Sequence, residues 1–263
     1  MKYCVSGRQS KGVIKKADEI KMRFNDKDRL IDYIEEFKDK TFILEVPAEI
    51  KELDWKLITA YSEKVNFILC LKDLNLAKAC HEYGIKFYWG FPTFTWYELE
   101  ALIALKPCYI TLGAPLCFCL DKVKKKTDIE LRLCPNLAFD AYIPRENGIY
   151  GSWVRPEDTD AYARWISVFE FATDDLAREA TLLHVYQDNG NWPGNLNLLL
   201  TNLNVNVDNR ALPKDIGKKR ATCGQRCVFN GSCHYCETAM KFATVIKDKH
   251  FRDNKLELAQ PAD

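Results

Sequence analysis

No stretch of the sequence approaches the ~18 consecutive apolar residues of a membrane-spanning helix, and the opening MKYCVSGRQSKG lacks the apolar centre of an export signal. The expectation is a cytoplasmic protein with no membrane partner. Net charge is almost absent as well. Lys and Arg number 38 against 37 Asp and Glu, a formal charge of +1, which removes any global argument for nucleic acid or an anionic surface as partner. Histidine is scarce: His81, His184, His234 and His250 fall in helical segments or in a cysteine-rich loop, and none stands where a barrel-mouth base would. Catalytic-triad, phosphate-loop, dinucleotide-fingerprint and H-E-x-x-H patterns are all missing. What remains is 263 residues, 47% hydrophobic and 29% charged, enough to build a large core and close to the usual size of an α/β barrel.

Two hydrophobic periods alternate along the first part of the chain. EIKMRF (19–24) places Ile20, Met22 and Phe24 against Lys21 and Arg23, the period of two of a strand. DKDRLIDYIEEFKDK (26–40) then collects Leu30, Ile31, Tyr33, Ile34 and Phe37 on one helical face, with Asp26 or Asp28 as cap. The couple recurs as strands 42–46, 66–71, 85–89 and 108–112 with helices 52–61, 74–83, 95–105 and 115–125, followed by strands at 129–133 and about 150–154. Short, continuous apolar runs suit parallel strands covered on both faces, and right-handed crossovers wind such units in one direction. The spacing predicts an α/β fold, a (βα)-repeat barrel, complete or incomplete, over an open sheet.

Pro156 with Glu157 and Asp158 predicts the start of a long acidic helix over 157–187, broken by the turn residues of QDNGNWPGN. The expected organisation is a barrel-like core over 1–155, a helical extension over 156–207, a cysteine-rich segment over 208–252 and a polar tail over 253–263.

In a parallel barrel, ligands bind where the strands' C-terminal ends meet the βα loops. Reading those ends gives Glu45, Lys72, Asp73, Arg132, Cys134, Pro135, Asn136, Arg145 and Arg155. The candidate catalytic set is Glu45 or Asp73 as base, with Lys72, Arg145 and Arg155 as anion anchors. Each also has a plainer role: Glu45 as partner of a neighbouring lysine, Arg155 as partner of the first-turn acids after it.

Of eleven cysteines, seven lie in apolar surroundings where a thiol packs as a small hydrophobe. The other four, Cys223, Cys227, Cys233 and Cys236, form C-x3-C-x5-C-x2-C with Gly224 and Gly231 between them. An odd count and no export signal argue against disulfides. Four thiolates this close can wrap one cation, Zn2+ or, alternatively, a 4Fe-4S cluster. Lys218, Lys219, Arg220 and Arg226 flank the group and offer a basic face to nucleic acid or a protein partner, or simply a solvated turn.

The βα units ending in Leu112 to Leu116 (LGAPL), with Arg132, Pro135, Asn136 and the late cysteines, resemble the collagenase-like peptidase family. That resemblance implies a barrel and, through members that hydroxylate RNA bases or a quinone precursor, an iron–sulfur-dependent hydroxylase. Residues 151–171 also look like segments of uncharacterised phage-encoded proteins. Since the strand ends carry no recognisable catalytic set, the leading expectation is a non-catalytic binding or structural protein with a Cys4 zinc site; the hydroxylase is the alternative.

Overall fold

The computed structural model describes residues 1–23, 27–46, 67–113, 116–136, 153–188, 192–200, 207–223, 235–236 and 238–239. Eight parallel strands close into a barrel in sequence order: β1 (Lys2–Ser6), β2 (Glu19–Arg23), β3 (Thr41–Glu45), β4 (Phe67–Leu71), β5 (Phe87–Thr93), β6 (Tyr109–Leu112), β7 (Glu130–Leu133) and β8 (Ile166–Glu170). Helices α1 (Lys11–Lys16), α2 (Lys27–Glu36), α3 (Leu74–Glu82), α4 (Trp96–Ala104) and α5 (Leu120–Lys126) alternate with the strands. Then come α6 (Thr159–Tyr162), α7 (Leu176–Gln187) and α8 (Ile216–Thr222). The expected helix 52–61 lies outside the described residues. No helix among the described residues is long and apolar enough to cross a membrane.

Local chemistry starts several helices. Ser10, Asp73 and Asp175 cap α1, α3 and α7 by accepting from backbone N–H groups, and Thr95 with Glu98 forms a reciprocal capping box on α4.

Two expectations are corrected. Residues 153–154 form no strand; Trp153 and Val154 are buried in an irregular segment. The closing strand lies later, inside the stretch expected to be one helix over 157–187. That stretch is a 3-10 turn (Pro156–Asp158), α6, β8 and α7 in succession. The barrel therefore extends past residue 155, with β8 pairing to β7 on one side and to β1 on the other through Tyr3↔Phe169 and Cys4↔Glu170.

Alternation along the strands gives the barrel two different faces. Val5, Ile20, Met22, Phe42, Leu44, Leu69, Leu71, Ile110, Leu112, Leu131, Leu133 and Phe169 belong to the large core between sheet and helices. A separate small cluster (Cys4, Ile43, Ile68, Cys70, Tyr88, Tyr109, Val168) fills the lumen, and Glu19, Lys21, Arg132 and Glu170 share that face by register. A parallel barrel usually fills its lumen with Val, Ile and Leu. Here four charged residues share it with that cluster.

The segment after β8 is fastened to the barrel by a buried arginine. Arg155 donates to both Asp158 oxygens at 2.6 and 2.9 Å, to Asn209 Oδ1 at 3.4 Å and to the Lys214 carbonyl at 3.2 Å. This fixes Asp158 where α8 passes closest: a Cβ on Gly217 would stand 2.2 Å from Asp158 Cγ. Because Asp158 is held from both oxygens it cannot yield. Gly217→Ala should destabilise the fold by about 1–3 kcal/mol, the usual cost of overpacking. Gly12→Ala, in α1 with no atom within 4 Å of the new Cβ, should stabilise it by up to about 1 kcal/mol. Urea unfolding of the two variants checks the opposite signs.

Candidate site at the barrel mouth

The charged lumen is organised around Arg132, which β7 places at the barrel axis with no solvent exposure. Its guanidinium is ion-paired to Glu19 from β2 and lies 3.9 Å from Glu170 at the end of β8. Tyr88 and Tyr109 flank it, with ring centroids 4.4 and 4.9 Å from its central carbon. Their hydroxyls complete the network: Tyr88 donates to Glu170 and Tyr109 to Glu19, each at 3.2 Å. Cation–π contact and hydrogen-bonded carboxylates together compensate a charge that burial alone would make very costly.

Above Arg132 the network continues to the mouth. Lys21 pairs with Glu170, and Lys72 pairs with Glu45 while its ammonium lies 5.5 Å from the Phe91 ring centroid. Burial by itself raises the Glu170 carboxyl, but Lys21, then Arg132, and hydrogen bonds from Lys21 and Tyr88 outweigh it and bring it down to about 2. Burial likewise lowers Lys21, and Glu170 more than reverses it. Burial raises Glu45, and the hydrogen bond from Lys72 with the fields of Lys21 and Lys72 overcomes it, so the carboxyl sits below its ordinary range. These groups are locked in their charged forms, not poised near neutrality as a general acid or base must be. The neighbouring thiols are locked the other way: burial raises Cys4 and Cys70, and pushes Cys134 up to about 12, so none offers a thiolate.

A cavity of about 110 Å³ opens at the ends of β8, β1 and β2, on the side of the barrel that carries this network. Ser6, Gly7, Arg8, Lys21, Arg23, Glu45, Glu170, Thr173, Asp174 and Glu179 give its polar lining, with Val5, Met22, Phe171 and Leu176 as apolar wall. At ~10–15 Å³ for each water-sized probe, it has room for several waters or one small molecule. Glu179 is buried in the first turn of α7, where its carboxylate accepts from Ser6 N at 3.0 Å and Gln9 Nε2 at 2.7 Å. Burial raises its pKa, and those two hydrogen bonds only partly offset the effect.

Of the residues expected from strand ends, Glu45 and Lys72 meet at the mouth. Asp73 caps α3, its side chain accepting from Leu76 N at 2.9 Å. Arg155 holds the C-terminal segment through Asp158, Asn209 and the Lys214 carbonyl. Arg145 lies outside the described residues. Lys21, Glu170 and Glu179 were not anticipated. Lys21 had a legible signal: in a barrel closed on both faces, the polar half of an alternating strand has only the lumen to occupy.

No family model, curated protein or solved structure matches this chain. Function must therefore be argued from the site's own chemistry, since a barrel by itself implies no reaction.

Among the described residues no three His, Cys, Asp or Glu are grouped to hold a metal ion. Cys227, Cys233 and Arg226 lie outside those residues; Cys223 and Cys236 are half-buried and pack against the main core. The basic face expected around them is reduced. Arg220 is buried, 3.8 Å from the Trp153 ring centroid and 4.9 Å from that of Phe118, and Lys219 pairs with Asp215 at 2.9 Å. Lys218 is exposed.

Glu170 supplies a pH test. A carboxylate lowered from 4.5 to about 2 stabilises the fold fully above its unfolded value, and that contribution is lost as pH falls from 4.5 toward 2. Glu45 acts in the same direction, while Glu19 and Glu179, both raised, act in the opposite one. Urea midpoints measured across that window should fall less steeply with acidification in Glu170→Gln than in the parent. An unchanged slope would mean that Glu170 is not held as an ion-paired carboxylate.

Proposed function

We propose that this chain is a non-catalytic binding protein whose barrel mouth holds a small polar molecule, with its C-terminal cysteines binding a structural zinc ion. The observation that supports the first part most directly is the pairing of Lys21 with Glu170 and Lys72 with Glu45 beside an open, mostly polar cavity. Charged groups paired in this way can orient a ligand and set its specificity. The site stands at the C-terminal ends of the strands, where barrels place their ligands.

The test is thermal unfolding of the full chain against a panel of small sugars, carboxylic acids, phosphomonoesters, amines and amino acids. At least one class should raise Tm with a dependence on concentration that follows mass action. Thr173→Trp, which fills the cavity from the β8–α7 loop, should abolish the shift. A shift that survives in Thr173→Trp would place binding elsewhere, and conversion of the bound compound to product would overturn the non-catalytic reading.

The zinc proposal draws on how the tail folds back. Cys223 ends α8, and Tyr235, next to Cys236, donates to Asp215 at 3.1 Å with the Lys219 ammonium 4.4 Å from its ring centroid. Cys223 and the residue before Cys236 thus both adjoin one short helix, and together with the C-x3-C-x5-C-x2-C spacing this supports the reading. Anaerobically purified protein should be colourless with one zinc per chain; a brown, iron-containing protein would favour the hydroxylase resemblance instead. Cys233→Ser or Cys236→Ser should expose the C-terminal segment to protease far more than Cys70→Ser does, because losing a metal ligand removes a folding cross-link. Equal sensitivity would mean that the four thiols hold no metal.

A further inference from the structure

Accounting for every charge that lines the mouth cavity leaves two without an ionic partner. Lys21 is committed to Glu170, Glu45 to Lys72, and Arg23 to Asp174 at 3.4 Å. Glu179 is not ion-paired. It is 5% exposed, and its two protein donors, Ser6 N and Gln9 Nε2, are uncharged. A buried carboxylate whose direct donors are all neutral has its desolvation only partly offset. Arg8, on the turn after β1, is exposed, and among the described residues its guanidinium makes no ion pair and no hydrogen bond; it feels only the field of Glu179. The cavity thus presents one unspent negative charge at depth and one unspent positive charge at the rim. Val5, Met22, Phe171 and Leu176 supply apolar wall between the polar groups.

We propose that the ligand is a small zwitterion of the α-amino-acid type, its ammonium received by Glu179 and its carboxylate by Arg8. This rests on the reading of the mouth as a binding site and specifies the ligand for it. An ammonium has three donors and no acceptor, which suits a carboxylate that lines the cavity. A planar guanidinium offers two parallel donors to a carboxylate. The limited volume restricts the side chain to small or medium apolar groups, with the wall residues as its contacts. An anion alone would leave Glu179 uncompensated and repelling it. An amine alone would leave Arg8 unused.

The experiment is titration calorimetry of the full-length chain with four matched sets: glycine, alanine, valine and leucine; the corresponding carboxylic acids without the amine; the corresponding amines without the carboxylate; and neutral polyols of the same size. The amino acids should bind at least about tenfold more tightly than either singly charged set, as expected when one charge-assisted contact is removed. Glu179→Gln should weaken amino-acid binding by about tenfold or more, and Arg8→Gln by a comparable factor. Because Arg8 is at the rim, Arg8→Gln keeps the test valid should Glu179→Gln fold poorly. Equal binding of the singly charged sets, or undiminished amino-acid binding in Arg8→Gln, overturns the zwitterion. If acids, amines or polyols bind instead and Thr173→Trp abolishes that binding, the mouth remains a binding site while this ligand class is wrong. If no set binds, the zwitterion is wrong, and the mouth reading also fails unless a sugar or phosphomonoester raises Tm in a way that Thr173→Trp abolishes.

Discussion

The charges of the barrel interior and mouth depend on one buried contact, the Arg132 guanidinium held by Glu19 and steadied between two tyrosine rings. Glu19 begins β2 and Glu170 ends β8, so Arg132 spans the lumen from its lower layer to its mouth. Removing one partner of such a buried pair strands the other, at a cost typically about 3–5 kcal/mol, whereas an apolar replacement of the whole group can be neutral or better. A lumen of charges is therefore a poor device for stability alone. The apolar face of the same strands, packed against the helices, carries that burden. What the charged lumen provides is a fixed set of potentials under the mouth. Lys21 and Glu170 are oriented from below by Arg132 and Tyr88, which fixes the floor of the cavity.

The barrel was largely legible in the sequence because its core strands are short apolar runs spaced by amphipathic helices. Six of the expected strands stand within two residues of their observed starts, from Glu19 to Glu130. The two that close the circle were not read. β1 begins at Lys2 with no preceding punctuation, and its KYCVS is only weakly apolar. β8 was hidden in a segment with a good helix start at Pro156 and a good helix end in α7. Ile166, Val168 and Phe169 satisfy a period of two or of three and a half over so few residues. The mouth was less legible for a related reason. Gln9 and Glu179 are 170 positions apart, and only the pairing of β1 with β8 brings them together. Strand-end position found Glu45 and Lys72 but also Asp73, whose short side chain next to a helix start is better explained as a cap. For the tail the spacing of four cysteines was plain. Burial of Arg220 against Trp153 was not, because a run of Lys and Arg in sequence says nothing about which one turns inward.

The mouth is also asymmetric, and the asymmetry has a packing origin. At the end of β6 a Cβ on Gly113 would stand 2.5 Å from the Phe94 ring and 2.9 Å from Pro92, so glycine there lets the β5–α4 loop fold down onto the strand end. The register shift between Trp89 and Thr93 bends the end of β5 just before that loop. Rings and proline thus occupy the β5–β6 side. On the opposite side the β1 turn and the β8–α7 loop present Ser6, Gly7 and Thr173, short residues that leave space. The open side is also the one where Glu179 is buried by α7 and Arg8 is carried outward by the β1 turn. One loop is filled by aromatic side chains and the other kept small, and among the described residues the lined cavity lies over the Lys21–Glu170 pair. A molecule entering there meets the ends of β8, β1 and β2 first, with Arg132 one layer below as the fixed charge that holds Glu170 in place.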